Sequence, residues 1–220
     1  MDDAKIIDSW GKNAAPWVTA VRDGEIESRT LATNRAIVEA VLSRTPATGI
    51  DIGCGEGWLV RALDSVAMLG VDVVPGLIDA ARKAGGGEFR VMSYEDIARG
   101  QLKLAVDVAI CNFSLIGKES VEGLFRAAPS FLRPGGALIV QTMHPLMACG
   151  DAPYADGWRE GSWTGFNAGF TDPPPWYFRT IGSWTRLFTD NGLRLQEVRE
   201  PLHPATGKPA SIILVGEYPA

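Results

Sequence analysis

The sequence lacks three features that would place the protein at a membrane or outside the cell. It has no apolar run approaching the roughly 20 residues that a membrane-spanning helix needs. The segment from Met1 to Lys5 is acidic and has no apolar stretch typical of a secretory signal. Its three cysteines, Cys54, Cys111 and Cys149, are an odd number, which indicates reduced thiols. We therefore expect a cytoplasmic protein without membrane contact.

Basic clusters and metal-ligand patterns are also missing. The formal net charge is −5, and no run of Lys or Arg forms the positive surface typical of nucleic-acid binding. The cysteine spacing does not match a metal site. We expect no metal and no nucleic-acid partner, and the sequence does not indicate an oligomeric state.

What the sequence does contain is a glycine-rich turn between a strand and a helix. Ile50 and Ile52 end a short apolar run, glycines follow at Gly53, Gly55 and Gly57, and a helical segment begins at Trp58. Glycines let the chain turn sharply and let a ligand approach the main chain. The start of a helix offers free N–H groups. This pattern predicts a site for a nucleotide-like or anionic group, although a glycine loop without any ligand is an alternative.

Residues 51–57 read Asp-Ile-Gly-Cys-Gly-Glu-Gly, which differs from the dinucleotide fingerprint because the third glycine comes one residue early. With the acid in front, the block resembles motif I of the class I S-adenosylmethionine (SAM) methyltransferases, in the small-molecule subgroup. The resemblance covers about residues 48–144. It implies that Gly53 to Gly57, including Cys54, pass the methionine part of SAM and that Asp51 helps to hold its amino group.

Strands and helices alternate along most of the chain, which predicts βαβ units and a parallel sheet. Two closing strands without a helix between them predict an antiparallel end. The fold class is therefore α/β, a three-layer Rossmann-like sandwich, and the resemblance implies a seven-stranded, mostly parallel sheet in the order 3-2-1-4-5-7-6. We expect one domain over 1–220. The predicted strands are Thr48–Ile52, Ala67–Val73, Glu88–Met92, Val106–Asn112, Ala137–Thr142, Leu193–Val198 and Ser211–Gly216.

Two segments outside this alternation are rich in aromatic residues. Residues 1–47 are expected to be helical, with a second helix from about Glu27 to Ser43, and to act either as a lid or as a packing appendage. A lid could bring Trp10 to the substrate and Arg29 to the carboxylate of SAM. Residues 145–180 form a long irregular insertion after strand five, which we expect to cover the substrate.

Other cofactor contacts follow at the carboxyl ends of the strands. Asp72, followed by Val73, can accept hydrogen bonds from ribose hydroxyls. Ser93 stands where the resembling family commonly has an acid for the adenine amino group, and we expect its hydroxyl to take that role, beside the backbone N–H of Tyr94. Glu95 could instead cap a helix. Asn112 and Phe113 are expected to line the cofactor pocket, whereas Cys111 fits a buried strand residue better than a nucleophile.

His144, at the end of strand five, is the main catalytic candidate. It could act as a general base, as a substrate hydrogen-bond donor or as a structural residue. In the insertion, Trp176 and Tyr177 could contact the acceptor, with Tyr177 orienting it. Arg179 could pair with a substrate carboxylate or phosphate. Alternatively, Tyr177 and Arg179 pin the insertion to the body through acidic partners.

Together these residues predict an enzyme that transfers a methyl group from SAM to an O or N atom of a small molecule, leaving S-adenosylhomocysteine (SAH). Strand four does not end in the Pro-Pro motif of nucleobase amino methyltransferases, and the Pro-Cys nucleophile of cytosine C5 methyltransferases is absent. Alternatives are an RNA or protein methyltransferase, an NAD-dependent oxidoreductase or nucleotide-binding module, and a SAM sensor without catalysis.

Overall fold

A computed structural model describes all residues from 1 to 220, and its centre is a seven-stranded sheet. The strands are β1 (Thr48–Ile52), β2 (Ala67–Asp72), β3 (Glu88–Val91), β4 (Val106–Asn112), β5 (Leu132–Thr142), β8 (Arg194–Arg199) and β9 (Ile212–Glu217), while β6 (Gly157–Arg159) and β7 (Trp176–Phe178) form a separate small sheet. The large sheet has the order β3-β2-β1-β4-β5-β9-β8. Strands β1 to β5 pair in parallel, and β9 runs antiparallel to β5 and β8. The predicted order and the antiparallel end are confirmed.

Helices cover both faces of this sheet. They are α1 (Asp3–Lys12), α2 (Ala14–Arg22), α3 (Asn34–Leu42), α4 (Trp58–Ala62), α5 (Pro75–Ala84), α6 (Tyr94–Ala98), α7 (Glu119–Phe131), α8 (Pro145–Ala148) and α9 (Ile181–Thr189). Alternate residues of β4 enter two separate cores, with Ala109 and Cys111 packed beside α7 and Val108 and Ile110 beside α3. This alternation produces the expected three layers. No helix combines the length and the apolarity required to cross a bilayer.

Strand β5 begins earlier than the sequence indicated. The segment from Leu132 to Gly136 was expected only as the stop signal of the preceding helix, but it belongs to the strand. The backbone of this segment forms hydrogen bonds with Tyr218 instead of helical ones. Gly135 N donates to Tyr218 O at 2.8 Å, and Tyr218 N donates to Gly136 O at 2.7 Å. Hydrogen bonds from the end of the chain therefore keep this segment extended.

The N-terminal region also differs in detail. One loose helix was expected before Gly24, but the structure has two, separated at Asn13. The side chain of Asn13 bonds to Thr171 of the insertion in both directions, at 2.7 and 2.9 Å. The expected second helix starts as a π-helical turn, Arg29–Thr33, that leads into α3. Such turns are frequent at functional sites.

The core between α7 and α9 generates a stability prediction. Phe125 and Phe188 are fully buried and meet edge to face, with ring centroids 5.0 Å apart. Phe125→Ala should lower the free energy of unfolding by about 3–5 kcal/mol because it leaves a cavity. Urea denaturation measures the loss. Leu202→Ala, at a side chain that is 57% exposed, is the control and should change stability by less than about 0.5 kcal/mol. Similar losses in both variants would contradict this description of the core.

Candidate functional site

The glycine loop, residues 53–57, joins β1 to α4 and turns at three left-handed glycines. Gly53, Gly55 and Gly57 have φ angles of 77°, 57° and 82°. A Cβ at Gly53 would lie 2.4 Å from Ser114 Cβ, and one at Gly57 would lie 2.6 Å from the Phe89 ring. These two glycines are therefore required by packing. At Gly55 the nearest atom is the Trp17 ring nitrogen at 3.4 Å, so this position presents open main chain.

Gly55 faces a cavity at the carboxyl ends of β1, β2 and β4, whose empty volume of about 830 Å³ includes space open to solvent. The structure brings together nine of the residues that the sequence indicated. They are Trp10, Gly53, Gly55, Asp72, Val73, Ser93, Tyr94, Asn112 and Phe113. Eight others are not among the lining residues, namely Arg29, Asp51, Cys54, Gly57, His144, Trp176, Tyr177 and Arg179.

Asp72 is fixed by backbone donors at the wall of this cavity. Its Oδ2 accepts from Gly55 N and its Oδ1 from Val74 N, both at 2.9 Å. Burial raises the pKa of this carboxyl, while the backbone N–H groups lower it. A carboxylate has about four acceptor sites, so Asp72 retains capacity for ligand hydroxyls.

Asp51 lies behind the glycine loop and is 2% exposed. Its Oδ1 has no hydrogen-bond partner. Burial, together with the charge of nearby Asp72, raises the pKa of Asp51 to about 7, and Arg29 opposes this shift. An unmet acceptor of this kind is costly in a folded protein, and it is the kind of group that a cationic ligand satisfies.

Arg29, in the π-helical turn, is the complementary group. Its guanidinium carbon lies 5.5 Å from the Trp17 ring centroid and 5.0 Å from that of Trp58. Its Nε donates to Asn34 Oδ1 at 3.3 Å, but the buried Nη2 has no partner. Burial lowers the pKa of Arg29 to about 10, so it stays charged at neutral pH. Near the glycine loop, but not among the residues that line the cavity, Asp51 and Arg29 thus provide one unmet acceptor and one unmet cationic donor.

Glu56 is a structural residue of the loop that the sequence reasoning missed. It is 1% exposed and accepts from Arg22 Nε at 2.9 Å and from Arg61 Nη2 at 2.6 Å. Arg22 ends α2, so this ion pair ties the N-terminal helices to the loop. The acid inside the glycine motif was visible in the sequence, but its distant partner was not.

The assignment of Glu95 as a possible helix cap needs correction. The Ser93 hydroxyl accepts from Asp96 N at 3.1 Å and donates to Asp96 Oδ2 at 2.9 Å, while Asp96 Oδ2 also accepts from Ser93 N. This capping box uses the donor and one of the two acceptor sites of the Ser93 hydroxyl, so one acceptor site remains and the expected adenine contact stays a prediction. Asp96, rather than Glu95, is the capping acid, and Glu95 lines the cavity instead. The Ser-x-x-Asp spacing was the signal for this cap.

The tip of β4 supplies the opposite wall. Phe113 has a φ of 55°, an uncommon value for a bulky residue, and its N–H donates to Gln141 O at 2.8 Å. The Oδ1 of Asn112 is buried without a partner. Cys111 is fully buried, and burial raises the pKa of its thiol. This environment agrees with the interpretation of Cys111 as a buried strand residue.

Two segments distant in sequence meet above the cavity, and we call them the roof: α1 with α2, and residues 145–180. Trp10 packs on Trp17 and on Trp163 of the insertion, with ring centroids 4.9 and 5.7 Å apart. Lys12 Nζ lies 2.6 Å from Asp172 Oδ2. Aromatic contacts and the paired hydrogen bonds of Asn13 thus join the two segments.

A smaller second cavity adjoins the first, and Ile116 lines both. Trp176, Tyr177 and Arg179 are found here rather than in the main cavity. Arg179 is 4% exposed, and it donates to Gly117 O at 2.8 Å and Lys118 O at 3.2 Å. It therefore anchors the insertion through backbone carbonyls, not through the acidic partners considered from sequence, and a role in binding a substrate anion finds no support here.

His144 is among the lining residues of neither cavity. It precedes α8 and is 2% exposed. Its Nε2 lies 2.7 Å from Glu200 Oε1, and its Nδ1 is buried without a partner. The turn into α8 directs the ring toward the segment after β8, which agrees with the structural alternative for His144, and its catalytic role stays a prediction.

The raised pKa of Asp51 predicts a specific pH dependence. The pKa of the Asp51 carboxyl is about 7 in the folded protein, against an ordinary value of 3.8. As the pH rises between these values, this carboxyl ionises in the unfolded chain but stays protonated in the folded protein, so the free energy of unfolding falls. Asp51→Asn should therefore be more stable than the parent protein at pH 8, by up to a few kcal/mol at about 1.4 kcal/mol per pKa unit. The gain should shrink near pH 4.

Urea denaturation at the two pH values measures this difference. Asp64→Asn, at an exposed position, is the matched control and should show no such dependence. A gain for Asp51→Asn that is the same at both pH values, or a loss at pH 8, would contradict the burial of an ionisable Asp51.

Comparison with known proteins adds to this geometry. A family model described as "Methyltransferase domain" matches residues 26–198. The ubiquinone biosynthesis O-methyltransferase of Xanthomonas axonopodis pv. citri is 33% identical over 117 residues, covering 49% of this chain and 47% of that protein. The chain thus matches about half the length of this curated relative.

Solved structures share the fold. The magnesium protoporphyrin IX methyltransferase from Synechocystis PCC 6803, with bound SAH, has a TM-score of 0.68 at 18% identity and covers 98% of this chain and 99% of its own. A SAM-dependent methyltransferase from Mesorhizobium loti has a TM-score of 0.62 at 21% identity, covering 83% and 96%. Since the family model spans well over half of the sequence, the chain belongs to the methyltransferase domain family.

Proposed function

We propose that the protein is an enzyme that transfers the methyl group of SAM to an O or N atom of a small-molecule acceptor. The observation that carries this proposal is the pair of unmet buried groups near the glycine loop, Asp51 Oδ1 and Arg29 Nη2. SAM ends in an amino acid, whose ammonium and carboxylate match these two groups in charge. The family membership of the chain supports the same reading.

The remaining residues fit the other parts of SAM. Gly53 to Gly57, with Cys54, would follow the methionine chain, and Asp72 beside Val73 would accept from the ribose hydroxyls. Ser93 stays a predicted acceptor for the adenine amino group, and we propose Glu95 as a second one, since both residues line the cavity. Tyr94, Asn112 and Phe113 would complete the walls. When bound, SAM supplies a methyl group on a good leaving group.

The chain's own contribution is alignment and exclusion of water. Helices α1 and α2 line one side of the cavity and contact residues 145–180, and we propose that residues 1–47 act as a lid and that residues 145–180 cover the acceptor, within one domain. No histidine lines the cavity. Four roles stay predictions: catalysis by His144 and Tyr177, and acceptor contacts by Trp10 and Trp176. For His144 and Tyr177 the geometry favours an anchoring role. His144 bonds to Glu200, and Tyr177 N donates to Ile116 O at 2.8 Å.

The alternatives receive less support. A dinucleotide would bring a pyrophosphate toward the loop that Asp51 backs, where two negative charges would repel each other. An RNA or protein acceptor needs an open, usually basic approach, whereas the cavity is roofed and the net charge is −5. A SAM sensor is distinguished by the absence of turnover. A cytoplasmic location also stays a prediction.

The test of the function is a methyl-transfer screen with radiolabelled SAM. A small-molecule extract, total tRNA and a protein extract are offered separately. We expect label in the small-molecule fraction only. Transfer to tRNA or protein alone would contradict the proposed acceptor class, and SAH binding without any transfer would indicate a sensor.

The open main chain at Gly55 predicts a matched pair of variants. Gly55→Val should weaken SAH binding by about tenfold or more, because the side chain fills cavity space beside the loop. Gly207→Val is the control, since Gly207 has a similar φ of 64° but only open space around it. Calorimetry with SAH measures both. Equal affinities of the two variants would refute the assignment of the loop.

A further inference from the structure

One wall of the main cavity contains none of the residues that we propose to bind SAM. It is formed by α1 and by the loop after β4, and it is mainly apolar, with Ile6, Ile7, Trp10 and Ile116. No Lys, Arg or His lines the cavity. This wall is where an acceptor would lie in the proposed function, on which the inference rests.

The charges that do reach the cavity are negative. Asp3, Asp72 and Glu95 line it. Asp3 belongs to the acceptor side, where its two carboxylate oxygens accept from Lys118 N at 2.9 Å and Ser120 N at 2.7 Å. These bonds hold Asp3 at the wall, where its charge disfavours an anion and favours a neutral or positive group.

Two cations of the neighbouring segments, Arg179 and Lys118, are already engaged. Arg179 donates to two carbonyls and stacks on Tyr177 and Trp184, with distances of 4.8 and 5.3 Å from its guanidinium carbon to the ring centroids. Lys118 Nζ lies 5.6 Å from the Tyr177 ring centroid and 3.7 Å from Glu119 Oε1. A buried acceptor carboxylate or phosphate would therefore lose water without gaining a partner.

Ile116 divides the free part of the main cavity from the second cavity, because it lines both. Its carbonyl accepts from Tyr177 N at 2.8 Å, which fixes the backbone at this point. The far side is aromatic and apolar, with Met143, Trp176 and Trp184. Ile116 is thus the residue that the linings of the two cavities share.

We propose that the methyl acceptor is an uncharged or cationic molecule with an apolar ring, and that Ile116 limits its length. An acceptor bearing a carboxylate or phosphate is excluded by the unbalanced negative wall. A ring of bicyclic size fits beside α1, and a longer ring system requires the second cavity.

The charge preference is tested on protein saturated with SAH, so that the cofactor part is filled. Three probes share a naphthalene ring and carry a hydroxyl, an aminomethyl group or a carboxylate at the same carbon. Calorimetry should give Kd values for the first two that are at least about tenfold lower than for the carboxylate. Equal or tighter binding of the carboxylate, or no binding by any probe, would overturn the proposal. If SAH itself does not bind, the proposed function is contradicted, whereas probe binding of the wrong preference on SAH-saturated protein contradicts only the charge preference.

The role of Ile116 is tested by comparing a long probe, para-hydroxybiphenyl, with the naphthalene alcohol. Ile116→Ala should improve the affinity ratio in favour of the biphenyl by about fivefold or more, and Ile116→Val should give a smaller change in the same direction. Val198→Ala, at a 48% exposed position on the edge strand, is the control and should leave the ratio unchanged. The ratio is independent of any loss of folded protein. An unchanged ratio in both Ile116 variants would overturn the limit on length.

Discussion

Opposite charges buried near the glycine loop are the constraint on which the site depends. Asp51 and Arg29 each keep one polar atom without a partner, and each shifts the pKa of the other toward the charged form. Burying such groups costs free energy that the fold does not recover by itself. Trp17, Trp58 and the π-helical turn hold Arg29 in place. We interpret these two unsatisfied groups as a preformed binding site for a ligand with a positive and a negative end.

Direct contacts also connect the roof to the glycine loop. Arg22 joins α2 to Glu56 within the glycine loop, and Asn13 and Lys12 join the first helices to the insertion. The loop, the N-terminal helices and the insertion are thus linked by direct contacts. A substitution in one of these parts is expected to affect the others.

Much of the fold could be predicted, because the alternation of strands and helices indicated a parallel sheet and the resemblance to the methyltransferase family implied the strand order. The glycine spacing, Asp51 and Asp72 located the cavity correctly. Contacts between distant segments could not be predicted in this way. The burial of His144 against Glu200, the bonds of Arg179 to carbonyls and the ion pairs of Glu56 depend on how loops fold back. The cap at Ser93 is a different case, because its partner Asp96 is only three residues away and the Ser-x-x-Asp pattern was visible in the sequence.

The central claim is that the cavity recognises an amino-acid-bearing adenosine rather than a dinucleotide. Its most direct test is the melting temperature of the native protein with SAH or with NAD at equal concentration. A ligand present at about one hundred times its Kd stabilises the folded state by about 2.7 kcal/mol. We predict that SAH raises the melting temperature and that NAD leaves it unchanged. An increase with NAD and none with SAH would contradict the account.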